Sequence, residues 1–248
     1  MIGGVISLAI SMLFFAAVVG GIIFVVNMIK NKDKEENKFT FKTLWVGYLY
    51  LISMISLIAM LVGLSMVIRS GMASRFGIQF AYPLNYYNME YETKPTVVDG
   101  KEISEPVPFE ESYYKDQTKI EVNGEIYYYD GKQVKQDMIQ GITLALSMLV
   151  LFGIHRYLSM TVKDPSVNMW NKGYVFFGLI ITSILSLVLI PISIYQLVTY
   201  YVEGWQNLLS TNPYGGLTPP AEALSAMIVF VPAWLVCIFK VNKLNKGQ

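Results

Sequence analysis

Acid–base and nucleophilic chemistry have little to draw on in this sequence. There is one histidine, His155, in the run Ile154-His155-Arg156-Tyr157. There is one cysteine, Cys237, inside an apolar stretch near the C-terminus. A serine or cysteine nucleophile needs a base beside it and a third group to orient that base. A Cys237–His155 pair is conceivable, but nothing in the sequence supplies its third member. A zinc-type site has almost no His or Cys to use, and no EF-hand spacing marks a calcium loop. No Walker loop, dinucleotide fingerprint or HExxH appears. The pairs Gly3-Gly4 and Gly20-Gly21 lie in apolar sequence and do not make a phosphate loop. The expectation is therefore a non-enzymatic chain with no cofactor and no metal. One thiol also excludes an internal disulfide. A net charge of +1 gives no case for nucleic-acid binding.

The elements that carry these residues explain the scarcity. Hydrophobic residues make up 54% of the chain and charged residues 15%, against roughly 25% charged in ordinary globular proteins. The charge is also segregated, because it costs several kcal/mol in hydrocarbon and little at the ends of a span. A span needs about 20 apolar residues. Five stretches qualify: 1–29, 43–68, 137–160, 173–201 and 222–240. They predict an all-α membrane bundle of five transmembrane helices with the lipid bilayer as solvent. Asp137, Glu222 and Pro219-Pro220 serve as helix-start signals. The first stretch lacks a charged leading region and is too long for the core of a signal peptide. Ala16-Ala17, its one cleavable small pair, lies inside the apolar run.

Lysines and arginines set the sidedness. The segment 30–42 holds Lys30, Lys32, Lys34, Lys38 and Lys42. Arg156, Lys163 and Lys172 fall at 155–172, and Lys240, Lys243 and Lys246 close the chain. With five spans these three regions share one side. That predicts a cell-membrane protein with its N-terminus outside and its tail, 241–248, in the cytoplasm. The loops 30–42 and 161–172 are then cytoplasmic, while 69–136 and 202–221 face out. His155 and Arg156 read as interfacial anchors, with Arg156 meeting lipid phosphate.

Within the spans, Gly63 with Ala59 makes a small-xxx-small step that allows close helix contact. Pro191 and Pro232 remove helix hydrogen bonds and are expected to kink their helices, as packing geometry rather than gates. Ser53, Ser56, Ser65, Thr182, Ser183 and Ser186 are the polar residues at span centres, and by default they bond within their own helices. The last four spans can be read as a duplicated helical hairpin. Gly47-Tyr48 and Gly173-Tyr174 each follow a tryptophan, and Ala145-Leu146-Ser147…Phe152 is echoed by Ala223-Leu224-Ser225…Phe230. Chance recurrence of common residues is the other reading.

The segment 69–136 is too polar for lipid and too long for a plain loop. Lys119–Tyr129 reads as a β-hairpin turning at Asn123-Gly124, with Ile120 and Val122 sharing a face with Tyr127 and Tyr129. Asp130-Gly131 offers a further turn. Val97–Ile103 reads as a second hairpin, while Pro95, Pro106 and Pro108 should break the middle into short pieces. Phe76–Tyr87 is the part expected against the membrane surface. Tyrosine is abundant here, which suits either a sheet resting on headgroups or a recognition surface. Tyr86, Tyr87, Tyr113, Tyr114, Tyr127 and Tyr129 are the candidate interaction surface.

Two stretches carry a family resemblance. Tyr48-Leu-Tyr-Leu-Ile-Ser…Gly63-Leu64 is similar to the Leu-Tyr-Leu opening of an uncharacterised prokaryotic multi-span membrane family. Ala223–Trp234 resembles that family's Ala-rich helix ending in Pro-x-Trp. The continuation Leu235–Lys240 departs from the His-Trp and Arg that often follow in that family. The resemblance implies a helical membrane fold and brings no activity. The functional expectation is an accessory subunit of a membrane assembly, self-associated or with partner subunits, presenting an outer interaction domain. A small transporter or channel component is the alternative, and an enzyme acting on lipid the third.

Overall fold

The computed structural model of the chain describes residues 41–86, 92–98, 101–107, 117–122, 125–204 and 219–246. The predicted first span, 1–29, lies outside them, as do Tyr87, Tyr113, Tyr114 and most of the loop 202–221. Four long helices dominate: α1 (Phe41–Phe76), α3 (Gly131–Thr161), α4 (Ser166–Thr199) and α5 (Pro220–Lys246). A short helix, α2 (Ile78–Ala81), follows α1, and a π-helical turn, Tyr200–Gly204, follows α4. All four long helices are long and apolar enough to cross a membrane. They fit an integral membrane protein.

Every long helix outruns the apolar stretch that announced it. The second span was expected to stop at 68, yet α1 continues to Phe76; the third was expected from 137, yet α3 begins at Gly131. Apolarity marks where lipid can lie, whereas helix ends are set by caps and backbone bonds. Asp130 illustrates this. Instead of a turn, its Oδ1 accepts from the backbone N–H of Lys132 at 2.9 Å and of Gln133 at 3.1 Å. That is an N-cap, and Asp137 lies well inside the helix it was expected to open. Pro220 starts α5, with Glu222 in its first turn, as the start signals predicted. Pro191 and Pro232 both lie within uninterrupted helices.

The burial pattern of α1 is inverted relative to a soluble helix. Val46, Leu49, Ser53, Ser56, Gly63 and Ser70 are buried, at steps of three, four and seven that hold one face of a helix. Leu44, Leu51, Ile55, Val62 and Leu64 are exposed. Small and hydroxylated residues share the inside with Val46 and Leu49, while other bulky aliphatics face out, an arrangement lipid favours. Several hydroxyls bond within their own helix: Ser65 to the Val62 carbonyl, Thr182 to Gly178 and Ser225 to Glu222.

The chain divides into two compact units. Among the described residues, the first comprises those within 41–59, 147–185 and 231–246, and the second those within 60–146 and 186–230. In the first, the space beside Gly47 is filled by the Trp170 ring, since a Cβ there would come within 2.6 Å of it. In the second, α1 and α3 meet backbone to backbone. A Cβ on Gly63 would lie 2.7 Å from the Ala145 nitrogen and 2.8 Å from the Gly141 oxygen. Gly63 thus meets Gly141 and Ala145. The proposed repeat places its members unequally: Ala145 and Ala223 are both buried, but Ser147 is exposed and Ser225 buried.

The second unit also carries the strands. β1 (Asn85–Tyr86), β5 (Glu125–Tyr129) and β4 (Thr118–Val122) form a three-stranded antiparallel sheet in that order. The β4–β5 register pairs Val122 with Glu125 and Ile120 with Tyr127, the strand pairing predicted for this hairpin. Leu84 and Tyr127 are buried against Ile78, Ile120 and Tyr129. Nearby, Ala73, Phe80, Ala81, Tyr82 and Ala221 form a second cluster. The stretch expected at the membrane surface therefore has its centre inside, with Phe80, Ala81 and Tyr82 at most 3% exposed. The turn that folds it back is Gly77, whose φ of 94° suits glycine.

β2 (Glu92–Val98) and β3 (Lys101–Val107) form a separate two-stranded ribbon. The expected hairpin is there but longer, and Pro95 and Pro106 lie within its strands rather than breaking them. The register pairs Pro95 with Ser104 and Thr93 with Pro106. Both prolines thus occupy alternate, equivalent positions. In a ribbon with two open edges, such positions can direct the missing N–H outward, where no ladder bond is lost.

Candidate functional site

Two arginine centres gather most of the polar geometry, one in each unit. In the second unit, Arg69 leaves α1 with three interactions. Its Nε donates to the Ala81 carbonyl at 2.9 Å. Its Nη1 lies 3.8 Å from the Asp137 carboxylate, and its guanidinium stacks 4.6 Å from the Tyr82 ring centre. Ser70, the next residue, donates to the Val134 carbonyl. Burial, then the Asp137 charge, push the Tyr82 hydroxyl up to about 12. This centre ties α1, α3 and the segment after Gly77 together. In the sequence Arg69 bounds an apolar run and Asp137 was expected to open the next helix; their opposite charges at the margins of two successive apolar runs were the available signal.

In the first unit, α3 carries Arg156 near its C-terminal end. The guanidinium lies 5.2 Å from the ring centres of both Tyr50, on α1, and Tyr174, on α4. Those two rings are 5.7 Å apart. Nη2 donates to the Asn171 Oδ1 at 3.1 Å. Nη1 is buried and has no hydrogen-bond partner among the described residues. Ring faces attract the cation, but they do not satisfy its in-plane N–H donors, and leaving a buried donor unmade costs about 1–3 kcal/mol or more when charged.

The connector after α3 builds the wall in front of Arg156. Asp164 Oδ1 accepts from both the backbone N–H and the hydroxyl of Ser166. Asp164 is thus an N-cap with Pro165 in the first helical position. Those bonds, with a lesser pull from Lys42, hold its carboxyl below the usual range. Asp164-Pro165-Ser166 is a helix-start signature that places the start of α4 well before 173. An open recess of about 540 Å³ results, lined by Tyr50, Arg156, Met160, Lys163, Asp164 and Asn171 among others.

The predicted site residues fall as follows. Arg156 lies in this recess, half-buried. His155 brings its Nδ1 within 2.8 Å of the Leu151 carbonyl and sets its ring edge-on to Tyr48 at 5.9 Å. Cys237 is half-buried, with its sulfur 3.6 Å from where a Gly178 Cβ would stand. Tyr127 is 1% exposed and belongs to the sheet core. It is not a surface residue, because Leu84, Ile78 and Ile120 pack with it in one buried cluster. Tyr129 packs beside it, half-buried, and Tyr86 lies on β1 opposite Tyr127. Among the described residues, no three His, Cys, Asp or Glu side chains come together as metal ligands would. Comparison of the chain with family models, curated proteins and solved structures found no match.

Proposed function

We propose that the chain crosses the cell membrane five times, N-terminus outside and C-terminus cytoplasmic, and serves without catalysis as an accessory subunit of a membrane assembly. The residues that resemble the uncharacterised multi-span family belong to this reading as a fold expectation. The segment 69–136 is the part offered to a partner, which is another membrane subunit or a second copy. One observation carries this. Among the described residues, the β2–β3 ribbon makes seven residue pairs with itself and no ladder with the three-stranded sheet. A lone two-stranded ribbon is marginal in water, so a covering surface would stabilise it.

The test replaces residues 92–107 with a short Gly-Ser linker in the full chain. Membrane insertion should persist while self-association or the copurifying subunit is lost. A wild-type chain that runs as a lone monomer in mild detergent, with no copurifying protein, overturns the proposal. In intact cells, Glu110→Cys should react with an impermeant reagent from outside and Lys34→Cys should not; the reverse overturns the orientation.

A small transporter or channel component is a second reading, favoured by the Ser186 and Ser193 hydroxyls and the Gln196 Oε1, all on α4 and buried with no hydrogen-bond partner among the described residues. Solute flux into vesicles holding the purified chain, abolished by Ser193→Leu, would support it; no flux would remove it.

A further inference from the structure

We propose that the Arg156 recess binds a phosphate group, presented by an anionic phospholipid headgroup or by a soluble phosphate. The proposal rests on the membrane location of the chain but not on its accessory role.

Four observations converge on that chemistry. First, Arg156 is fixed before any ligand arrives. Two tyrosine faces and the Asn171 carbonyl oxygen hold the guanidinium plane, and a planar fork held in place suits oxyanions. Second, its Nη1 is buried with no hydrogen-bond partner among the described residues, so the guanidinium that lines the recess still has a donor to be met. Third, the local charge favours an anion. Lys163 shares the lining, and the start of α4 adds the positive end of a long helix. Asp164, the acid in the wall, is engaged by the backbone N–H and hydroxyl of Ser166. Fourth, about 540 Å³ accommodates a headgroup, and Met160 and Val162 give it an apolar margin. The recess flanks a connector between two membrane-length helices, which end at Thr161 and begin at Ser166, where lipid phosphates lie.

A purely structural account has Arg156 packing three helices together through its rings. That account explains the stacking but leaves the in-plane donors of Nη1 unused. It predicts no ligand dependence on Lys163 or Asn168, which line the recess without touching the tyrosine pair in any described contact.

The experiment is native mass spectrometry of the full chain from mild detergent. The probes are phosphatidylglycerol, phosphatidylcholine and inorganic phosphate, each added separately. Phosphatidylglycerol should be retained at least tenfold better than phosphatidylcholine. Arg156→Gln should abolish that preference, and Lys163→Gln should reduce it about threefold. If inorganic phosphate binds in an Arg156-dependent way while the lipids show no preference, the ligand is a soluble phosphate and the site stands. Should Arg156→Gln fail to fold, Asn168→Asp decides. A carboxylate introduced there should repel the probe, and unchanged retention in both N168D and K163Q overturns the site. Equal retention of the two lipids together with no phosphate binding overturns it as well. A wild-type chain that runs as a lone monomer with no copurifying protein, yet retains the lipid, would sink the accessory role alone.

Discussion

Arg69 and Arg156 occupy similar positions in sequence, each near the end of an apolar run, and each stacks on tyrosine. Their surroundings differ in one respect that decides their roles. Arg69 has an acid, Asp137, and a backbone carbonyl to absorb its charge and its Nε. Arg156 has two rings and a neutral amide, and no carboxylate partner among the described residues. A cation that is charge-paired inside the fold is spent on holding the fold. A cation stacked on rings with a donor edge unmet is held rigidly yet keeps attraction for an anion from elsewhere. The comparison teaches that aromatic stacking and ion pairing are not equivalent ways to accommodate an arginine at a membrane boundary.

The strongest way to break that comparison is to remove one partner from each centre. Asp137→Ala leaves Arg69, whose side chain is 17% exposed, without its countercharge. Loss of a charge-assisted contact at such a site should cost about 2–3 kcal/mol, read as a lower midpoint in chemical denaturation of the detergent-solubilised chain. Arg69→Met combined with Asp137→Leu should recover much of that loss, because replacing both ions with apolar groups removes the uncompensated charge. Arg156→Gln should cost about 1 kcal/mol or less, since no buried acid is orphaned. Equal losses at the two centres would make stacking and ion pairing equivalent in this protein.

How much of this was legible beforehand depends on the range of the interaction. The β4–β5 hairpin could be read with its register, because Asn123-Gly124 fixes the turn and alternation fixes the faces. Apolar runs announced all four described long helices, because lipid filters residues one at a time. Helix ends were less legible. Asp130 and Asp164 cap helices several residues before the apolar stretch begins, and only the cap logic, not hydropathy, marks them. The burial of Tyr127 was hidden because it depends on Leu84 and Ile78, which are distant in sequence. Neither arginine centre could be assembled from the sequence, since Tyr50, Arg156 and Tyr174 come together only through helix packing. The sequence marked Arg156 only as an expected interfacial anchor, without the rings that hold it.

A gentler probe separates the two centres by pH. In the Arg69 centre, Tyr82 holds its proton to about 12 against a usual value of 10.0. Between those values the folded chain keeps a proton that the unfolded chain has released. Stability from this group is therefore complete below pH 10 and is lost as pH rises through about 12. Tyr82→Phe should flatten the alkaline decline relative to wild type. Beside Arg156 the sign reverses. The Asp164 carboxyl titrates below its usual 3.8, because Ser166 donates to the charged form. Its contribution is complete above that value and is lost as pH falls through the lowered one. Asp164→Asn keeps a competent helix cap while removing the charge, so it should flatten only the acid limb, and by less. Denaturation midpoints of the two variants and the wild type, followed across both pH ranges, check the pair. If Tyr82→Phe left the alkaline limb as steep as before, the proton would not be held at the Arg69 centre. If Asp164→Asn steepened the acid limb, the carboxylate in the recess wall would be strained rather than satisfied, and it would then compete for Arg156 with any incoming anion.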